Sequence, residues 1–211
     1  ASRAPPGLDT QVDIPIQKHI PVCAGRAGGS SDAAAVLRAL NEHTGAGLSP
    51  ELLAKIGEAV GSDVPYCVLG GTALAEGRGE VLTPLSPLPP CHVAVCKPPF
   101  PISTPQLFAR VDTKKITRRP DTQGLIAALG RGDLPDVARR MYNVFEDVLP
   151  PRLAVRVAEI KNRLVQCGAL GANMSGSGPT AFGLFEGREE AERARACLAE
   201  RYRDTFLCET V

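Results

Sequence analysis

Ala24–Leu40 reads AGRAGGSSDAAAVLRAL. Gly25, Gly28 and Gly29 free the backbone, and the alanine-rich run behind them carries the strongest helix propensity in the chain. Ala33, Val36, Leu37 and Leu40 recur at i, i+3, i+4 and i+7, which gives that helix one buried face. A glycine loop feeding a helix presents unpaired N–H groups at the positive end of the helix dipole, an arrangement suited to a phosphate. Ser30 and Ser31 can add hydroxyl donors or help hold a phosphate-bound Mg²⁺. The loop lacks the lysine of G-x-x-x-x-G-K-[ST], and its glycine spacing does not fit G-x-G-x-x-G, so spacing alone assigns no particular nucleotide. The same residues also read as a plain helix start capped by Ser30 or Ser31.

Outward from this loop, Gln11–Ile16 alternates as a strand, with Val12, Ile14 and Ile16 on one face and Pro15 favouring an edge. Downstream, Ser49 as N-cap, Pro50, Glu51 in the first turn, inward Leu52, Leu53, Ile56 and Val60, and Gly61 as stop predict a second helix. A turn over Gly61–Pro65 leads to an expected strand, Tyr66–Leu69, and a glycine-punctuated hairpin through Leu82. Prolines 84, 87, 89 and 90 mark a boundary between residues 1–88 and 89–211. Beyond it we expect a buried strand at His92–Cys96, a short helix at Thr104–Val111 and a polar loop at Lys114–Thr122. Helices are expected at Gln123–Leu129, Leu134–Phe145 and Leu153–Cys167. Strand, tight turn and strand follow over Ala169–Phe185, then a helix at Arg188–Tyr202 and a strand at Thr205–Val211. The order β-α-β-β-α-β with inserted helices predicts an α+β fold.

Composition narrows the partners. The chain has 211 residues, 44% hydrophobic and 22% charged, with a formal net charge of +1. It has no general field for nucleic acid or anionic membrane, and no tryptophan and only 4% aromatic residues for stacking single strands. No apolar run approaches the ~18 residues of a membrane span, and ASRAPPG at the start has no signal-peptide core, so a soluble cytoplasmic protein is expected. Ala1 in place of a methionine suggests a fragment. Seven cysteines without C-x-x-C read as reduced core residues, and three scattered histidines give no metal site; any metal should arrive with a substrate.

Two further places can carry chemistry. Asp63, in the turn after the second helix, can bond its own backbone or act as a base toward an alcohol. Met174–Thr180, MSGSGPT, is either a turn between strands or a second set of amides and hydroxyls closing the same cleft from the second domain. Lys114–Arg119, KKITRR, reads as a solvated loop.

Together, Lys18–Ala35 (KHIPVCAGRAGGSSDAAA), Gly61–Glu80 (GSDVPYCVLGGTALAEGRGE) and Gly168–Phe185 (GALGANMSGSGPTAFGLF) resemble the GHMP kinases. Lys97–Phe108 (KPPFPISTPQLF) and Asn143–Asp147 (NVFED) add to the resemblance. The match is with the branch that phosphorylates the 2-hydroxyl of 4-diphosphocytidyl-2-C-methyl-D-erythritol. It implies a ribosomal-protein-S5-like first domain, incomplete here, and a ferredoxin-like second domain. It further implies ATP with Mg²⁺, and a nucleotide loop of Pro21, Val22, Cys23, Ala24, Gly25, Arg26, Ala27, Gly28, Gly29, Ser30 and Ser31 with Lys18 beside it. Asp63 corresponds to the catalytic aspartate, Thr104 and Phe108 to the cytidine and diphosphate end, and Ser175, Gly176, Ser177 and Gly178 to the third family motif. Arg26 and Ala27 replace the commoner leucine and glycine. The family's leading P-A-K-I-N-L-like and G-Y-H-E-L-like motifs have no counterpart in these residues. By the resemblance this leaves an exposed sheet edge and apolar face and impairs the isolated chain, whose alternatives are a nucleotide-binding module or another small-molecule kinase of the family.

Overall fold

A computed structural model of the chain describes residues 12–18, 25 and 27–210. The first regular element, α1 (Gly28–Thr44), begins directly at the glycine loop. Ala27 precedes it in a left-handed conformation, φ 47° and ψ 30°, and Ser31 N closes the first turn on Ala27 O at 2.8 Å. Neither Ser30 nor Ser31 is therefore the cap; the chain has already turned helical at Gly28, where no side chain opposes the change of direction. The expected strand at Gln11–Ile16 is not found. Gln11 lies outside the described residues, and Val12, Ile14 and Ile16 are exposed and irregular. Alternation makes a strand only against a partner edge, and no described strand pairs with this segment.

In α2 (Pro50–Glu58), Ser49 Oγ accepts from Leu52 N at 3.3 Å, as its sequence predicts. Its inward face is Leu53, Ala54 and Gly57, however, while Leu52, Ile56 and Val60 face solvent. Gly57 decides this: a Cβ there would meet Val64 Cγ1 at 2.6 Å, so the helix packs on its successor through its smallest residue. That successor, α3 (Val64–Leu69), replaces the expected strand at Tyr66–Leu69. A four-residue apolar run carries no decisive period, and Pro65 suits a helix's first turn. Arg38 of α1 donates to Cys67 O and Val68 O, both at 3.2 Å, covering the last carbonyls of α3. The hairpin β1 (Ala73–Glu76) and β2 (Val81–Pro84) follows, antiparallel, with Glu76 opposite Val81.

After the proline-rich stretch come β3 (His92–Lys97), α4 (Thr104–Thr113), α5 (Thr122–Gly130), α6 (Leu134–Arg140), α7 (Val144–Asp147) and α8 (Pro151–Gln166). The chain ends with β4 (Gly171–Met174), β5 (Ala181–Phe185), α9 (Arg188–Ala199) and β6 (Asp204–Glu209). The four strands form one antiparallel sheet in the order β4-β5-β3-β6, with β3 in register at His92↔Phe185 and Cys96↔Thr205. Taken with α8 and α9 this is the ferredoxin-like β-α-β-β-α-β arrangement. Both helices bury their apolar stripes on the sheet, where Ala94, Ile160, Leu164, Phe185, Ala194 and Leu198 form the core.

The helix expected over Leu134–Phe145 is split. α6 ends at Arg140, the chain extends through Met141–Asn143, and Asn143 caps α7 by accepting from Phe145 N at 3.0 Å. KKITRR is also less free than expected, since Arg118 lies over the Tyr142 ring at 4.5 Å and Lys114 donates to Asp147 O. Of the cysteines described, all free, Cys91 and Cys96 are buried, Cys67, Cys167 and Cys197 are half-buried and Cys208 is exposed. Burial pushes the Cys96 thiol up to about 11.

Two substitutions test this account by denaturant unfolding. Ile160→Ala, at a fully buried position, should cost about 2–5 kcal/mol. Ala27→Gly should stabilise by about 0.5–1 kcal/mol, because it removes the left-handed penalty and returns part of that gain to the freer unfolded chain.

Candidate active site

Three turns far apart in the chain converge on one cavity of about 1010 Å³. Gly25 and Ala27 come from the loop before α1, Gly28 and Gly29 from its first turn, and Ser62 and Asp63 from the turn between α2 and α3. Ser175, Gly176, Ser177 and Gly178 come from the turn between β4 and β5, and Lys18, Thr104 and Phe108 complete the residues that the sequence singled out. Ser30 and Ser31 stand in the first turn of α1 without lining the cavity. Pro21, Val22, Cys23, Ala24 and Arg26 lie outside the described residues.

The wall at α1 is a cradle for an anion. The first intrahelical bond is donated by Ser31, so the amides of Gly28, Gly29 and Ser30 have no acceptor within the helix. A Cβ on Gly29 would meet nothing within 4 Å, so no described side chain crowds that position. The aligned peptide dipoles of this 17-residue helix add favourable potential there. Lys18 lines the same cavity and pairs with Asp32 of α1.

Asp63 lines the same cavity. It precedes α3 with helical backbone angles, φ −89° and ψ −9°, whereas a capping residue is usually extended. Its carboxylate makes no capping bond and, among the described residues, no ion pair, so the turn-stabilising role open to it in the sequence is not what the structure shows. The tip of the β1–β2 hairpin fixes its surroundings: a Cβ on Gly79 would sit 3.6 Å from both Asp63 Oδ1 and Ser62 O. One helical turn on, burial and then the Asp63 charge push the Cys67 thiol up, so Cys67 is a protonated bystander.

The two glycine loops touch directly. Ser175 Oγ donates to Gly25 O at 2.6 Å, and a Cβ on Gly25 would lie 2.3 Å from Ser175 O and 2.9 Å from Gly178 N. With φ of +64°, position 25 is sterically and conformationally a glycine position. At the far end, Thr104 and Ser177 share a hydroxyl–hydroxyl hydrogen bond of 2.6 Å. Phe108, largely exposed, meets Phe145 edge to face with centroids 5.0 Å apart.

Sequence reasoning missed Tyr66, Arg78, Ile102 and Phe145, which also line the cavity. Tyr66 follows Asp63 by three residues, a helical spacing hidden by reading α3 as a strand. Arg78, between two glycines of the hairpin tip, and Phe145, inside NVFED, could have been flagged from their motifs.

Comparison with known proteins places the chain in a family. The family descriptions GHMP kinases N terminal domain and GHMP kinases C terminal match residues 2–71 and 125–204. The 4-diphosphocytidyl-2-C-methyl-D-erythritol kinase of Alkaliphilus oremlandii (strain OhILAs) is 46% identical over 200 residues, covering 94% of this chain and 68% of the relative. Its namesake in Clostridium tetani (strain Massachusetts / E88) is 42% identical over 200 residues, covering 95% and 71%. A crystal structure of 4-(cytidine 5'-diphospho)-2C-methyl-D-erythritol kinase superposes with a TM-score of 0.76 at 35% identity, over 92% of this chain and 68% of that one. The L. major mevalonate kinase in complex with R-mevalonate, at 20% identity and a TM-score of 0.69, covering 87% and 65%, shares the fold. With both family descriptions matched and relatives of this identity covered over two thirds of their length, the chain belongs to the GHMP kinase family, among the 4-diphosphocytidyl-2-C-methyl-D-erythritol kinases.

Proposed function

We propose that the chain transfers the terminal phosphoryl group of ATP to the 2-hydroxyl of 4-diphosphocytidyl-2-C-methyl-D-erythritol, a cytoplasmic step of the non-mevalonate isoprenoid route, with residues 1–88 and 89–211 as the two walls of the cleft. The observation that carries this reading is a carboxylate, Asp63, that has no ion pair among the described residues and lines the same cavity as the head of α1, whose first amides have no acceptor within the helix. Those amides suit the nucleotide phosphates. Asp63 accepts the hydroxyl proton as that oxygen attacks the γ-phosphorus; the bond to the β,γ-bridging oxygen breaks and ADP leaves. Thr104, Phe108 and Ser175–Gly178 are the proposed substrate contacts, and the exposed Phe108 ring, braced by Phe145, offers a face to the cytosine. No group of three metal-ligating side chains is present among the described residues. Mg²⁺ bound with ATP would supply charge neutralisation at the phosphates. Among the described residues no helix is long and apolar enough to cross a membrane.

Calorimetry with ATP and a coupled assay of ADP release test the reading. The chain should bind ATP and release ADP only when the cytidyl substrate is present; binding without transfer would leave it a nucleotide-binding module. Asp63→Asn should lower turnover by about 10²- to 10⁴-fold while changing the ATP dissociation constant by less than about threefold. Unchanged turnover would exclude Asp63 as the base. Phe108→Ala should raise KM for the cytidyl substrate on the order of tenfold with little change in KM for ATP, as loss of a ring–base contact requires.

A further inference from the structure

The four-residue α7 is too short to stabilise much by itself, yet both its ends grip the second glycine loop. Asn143, immediately before it, donates its amide hydrogens to Met174 O at 2.7 Å and Gly176 O at 2.8 Å. Its Oδ1 meanwhile accepts from Phe145 N at 3.0 Å. Glu146 accepts from Met174 N at 3.0 Å through Oε1, and Lys161 of α8 holds its other oxygen at 2.5 Å. Neither Asn143 nor Glu146 lines the cavity. The two carbonyls that Asn143 holds flank Ser175, whose hydroxyl crosses to Gly25 O at 2.6 Å.

We infer that Asn143 is a positioning residue of the kinase site: by pinning the carbonyls of Met174 and Gly176 it aims the Ser175 hydroxyl at Gly25 and so sets the loop that receives the nucleotide. The chemistry selects an amide. Only a neutral side chain with two N–H groups and one acceptor can hold two carbonyls and cap α7 at once. A carboxylate of the same shape keeps the cap but opposes both carbonyls with negative charge. Glu146 supports the same strand end from the opposite polarity, taking its N–H where Asn143 takes its C=O.

The inference rests on the proposed kinase reading only in its second measurement. The first is amide hydrogen exchange over residues 174–180 of the ligand-free chain, comparing the natural protein with Asn143→Asp and Asn143→Ser. Both variants keep a capping oxygen for α7, so thermal unfolding should stay within a few degrees, whereas exchange in the loop should rise about tenfold or more. Should Asn143→Asp fail to fold, Asn143→Ser carries the comparison. Loop exchange unchanged in the folded variants overturns the inference. The second measurement is a double-mutant cycle on the ATP dissociation constant. Asn143→Ser and Ser175→Ala should each weaken binding by about five- to tenfold, and the double variant no more than the worse single. Multiplied effects would overturn a route through Ser175. If the natural chain binds no ATP, the kinase reading fails, and the exchange result alone decides whether Asn143 holds the loop.

Discussion

The site depends on a contact between two stretches of main chain. Gly25 and Ser175–Gly178 approach so closely that no side chain fits between them, and the Ser175 hydroxyl bonds across the gap. Backbone against backbone is a stiff, short-range contact with few rotamers to adjust, so whatever fixes one loop fixes the other. The second loop is anchored in the ferredoxin-like sheet, because β4 and β5 continue directly from it and pair in register up to Met174↔Ala181. The first loop is the entrance to α1, whose own core contact is modest: Ala34 is its only fully buried residue. The better-packed half of the chain therefore lends its order to the glycine loop of the other half.

Packing density differs between the two halves in the same direction. Phe185, Ile160 and Leu164 are shut off from solvent in the sheet's core, while the core under α1, α2 and α3 consists of Ala34, Leu53, Ala54, Val64 and Val68. Exposed apolar side chains concentrate before residue 85, with Leu52, Ile56, Val60, Leu69 and Val81 all facing water. Small buried residues give close helix approach but little buried area, and area is what stabilises. Arg38 partly offsets this by tying α1 to the end of α3 through two carbonyls.

Much of this was legible in the sequence where one local rule sufficed. Ser49-Pro50-Glu51 started α2 as capping chemistry requires, the helix expected over Leu153–Cys167 is α8, and the glycine loops were visible as composition. What escaped depended on distant neighbours. Tyr66–Leu69 is helical because Val64 docks on Gly57; the alternating segment at Val12–Ile16 pairs with no strand among the described residues; and the helix expected through Phe145 breaks because Asn143 is drawn to carbonyls 31 and 33 residues away. The site shows the same division. Motifs found the glycines and Asp63, whereas Tyr66 reaches the cavity through a helix that its apolar run did not announce.

The pairing of carboxylates around the cleft bears most directly on Asp63. Asp32 is matched by Lys18, Glu146 by Lys161 and the Met174 amide, Asp147 by Tyr142, and Glu80 by the Arg78 amide at 2.7 Å. Each of these is occupied in holding structure, and its backbone bonds keep the Glu80 carboxyl below the ordinary range, which makes it a poorer base. Asp63 is the acidic residue lining the main cavity, and among the described residues its carboxylate has no such partner. Solvent exposure makes that vacancy inexpensive, since an exposed charge loses little hydration. A cation beside it would depress its affinity for a proton at the moment an alcohol must give one up. Among the described residues the arrangement thus spends its ion pairs on scaffolding and leaves without one the group whose proposed task is to receive a proton.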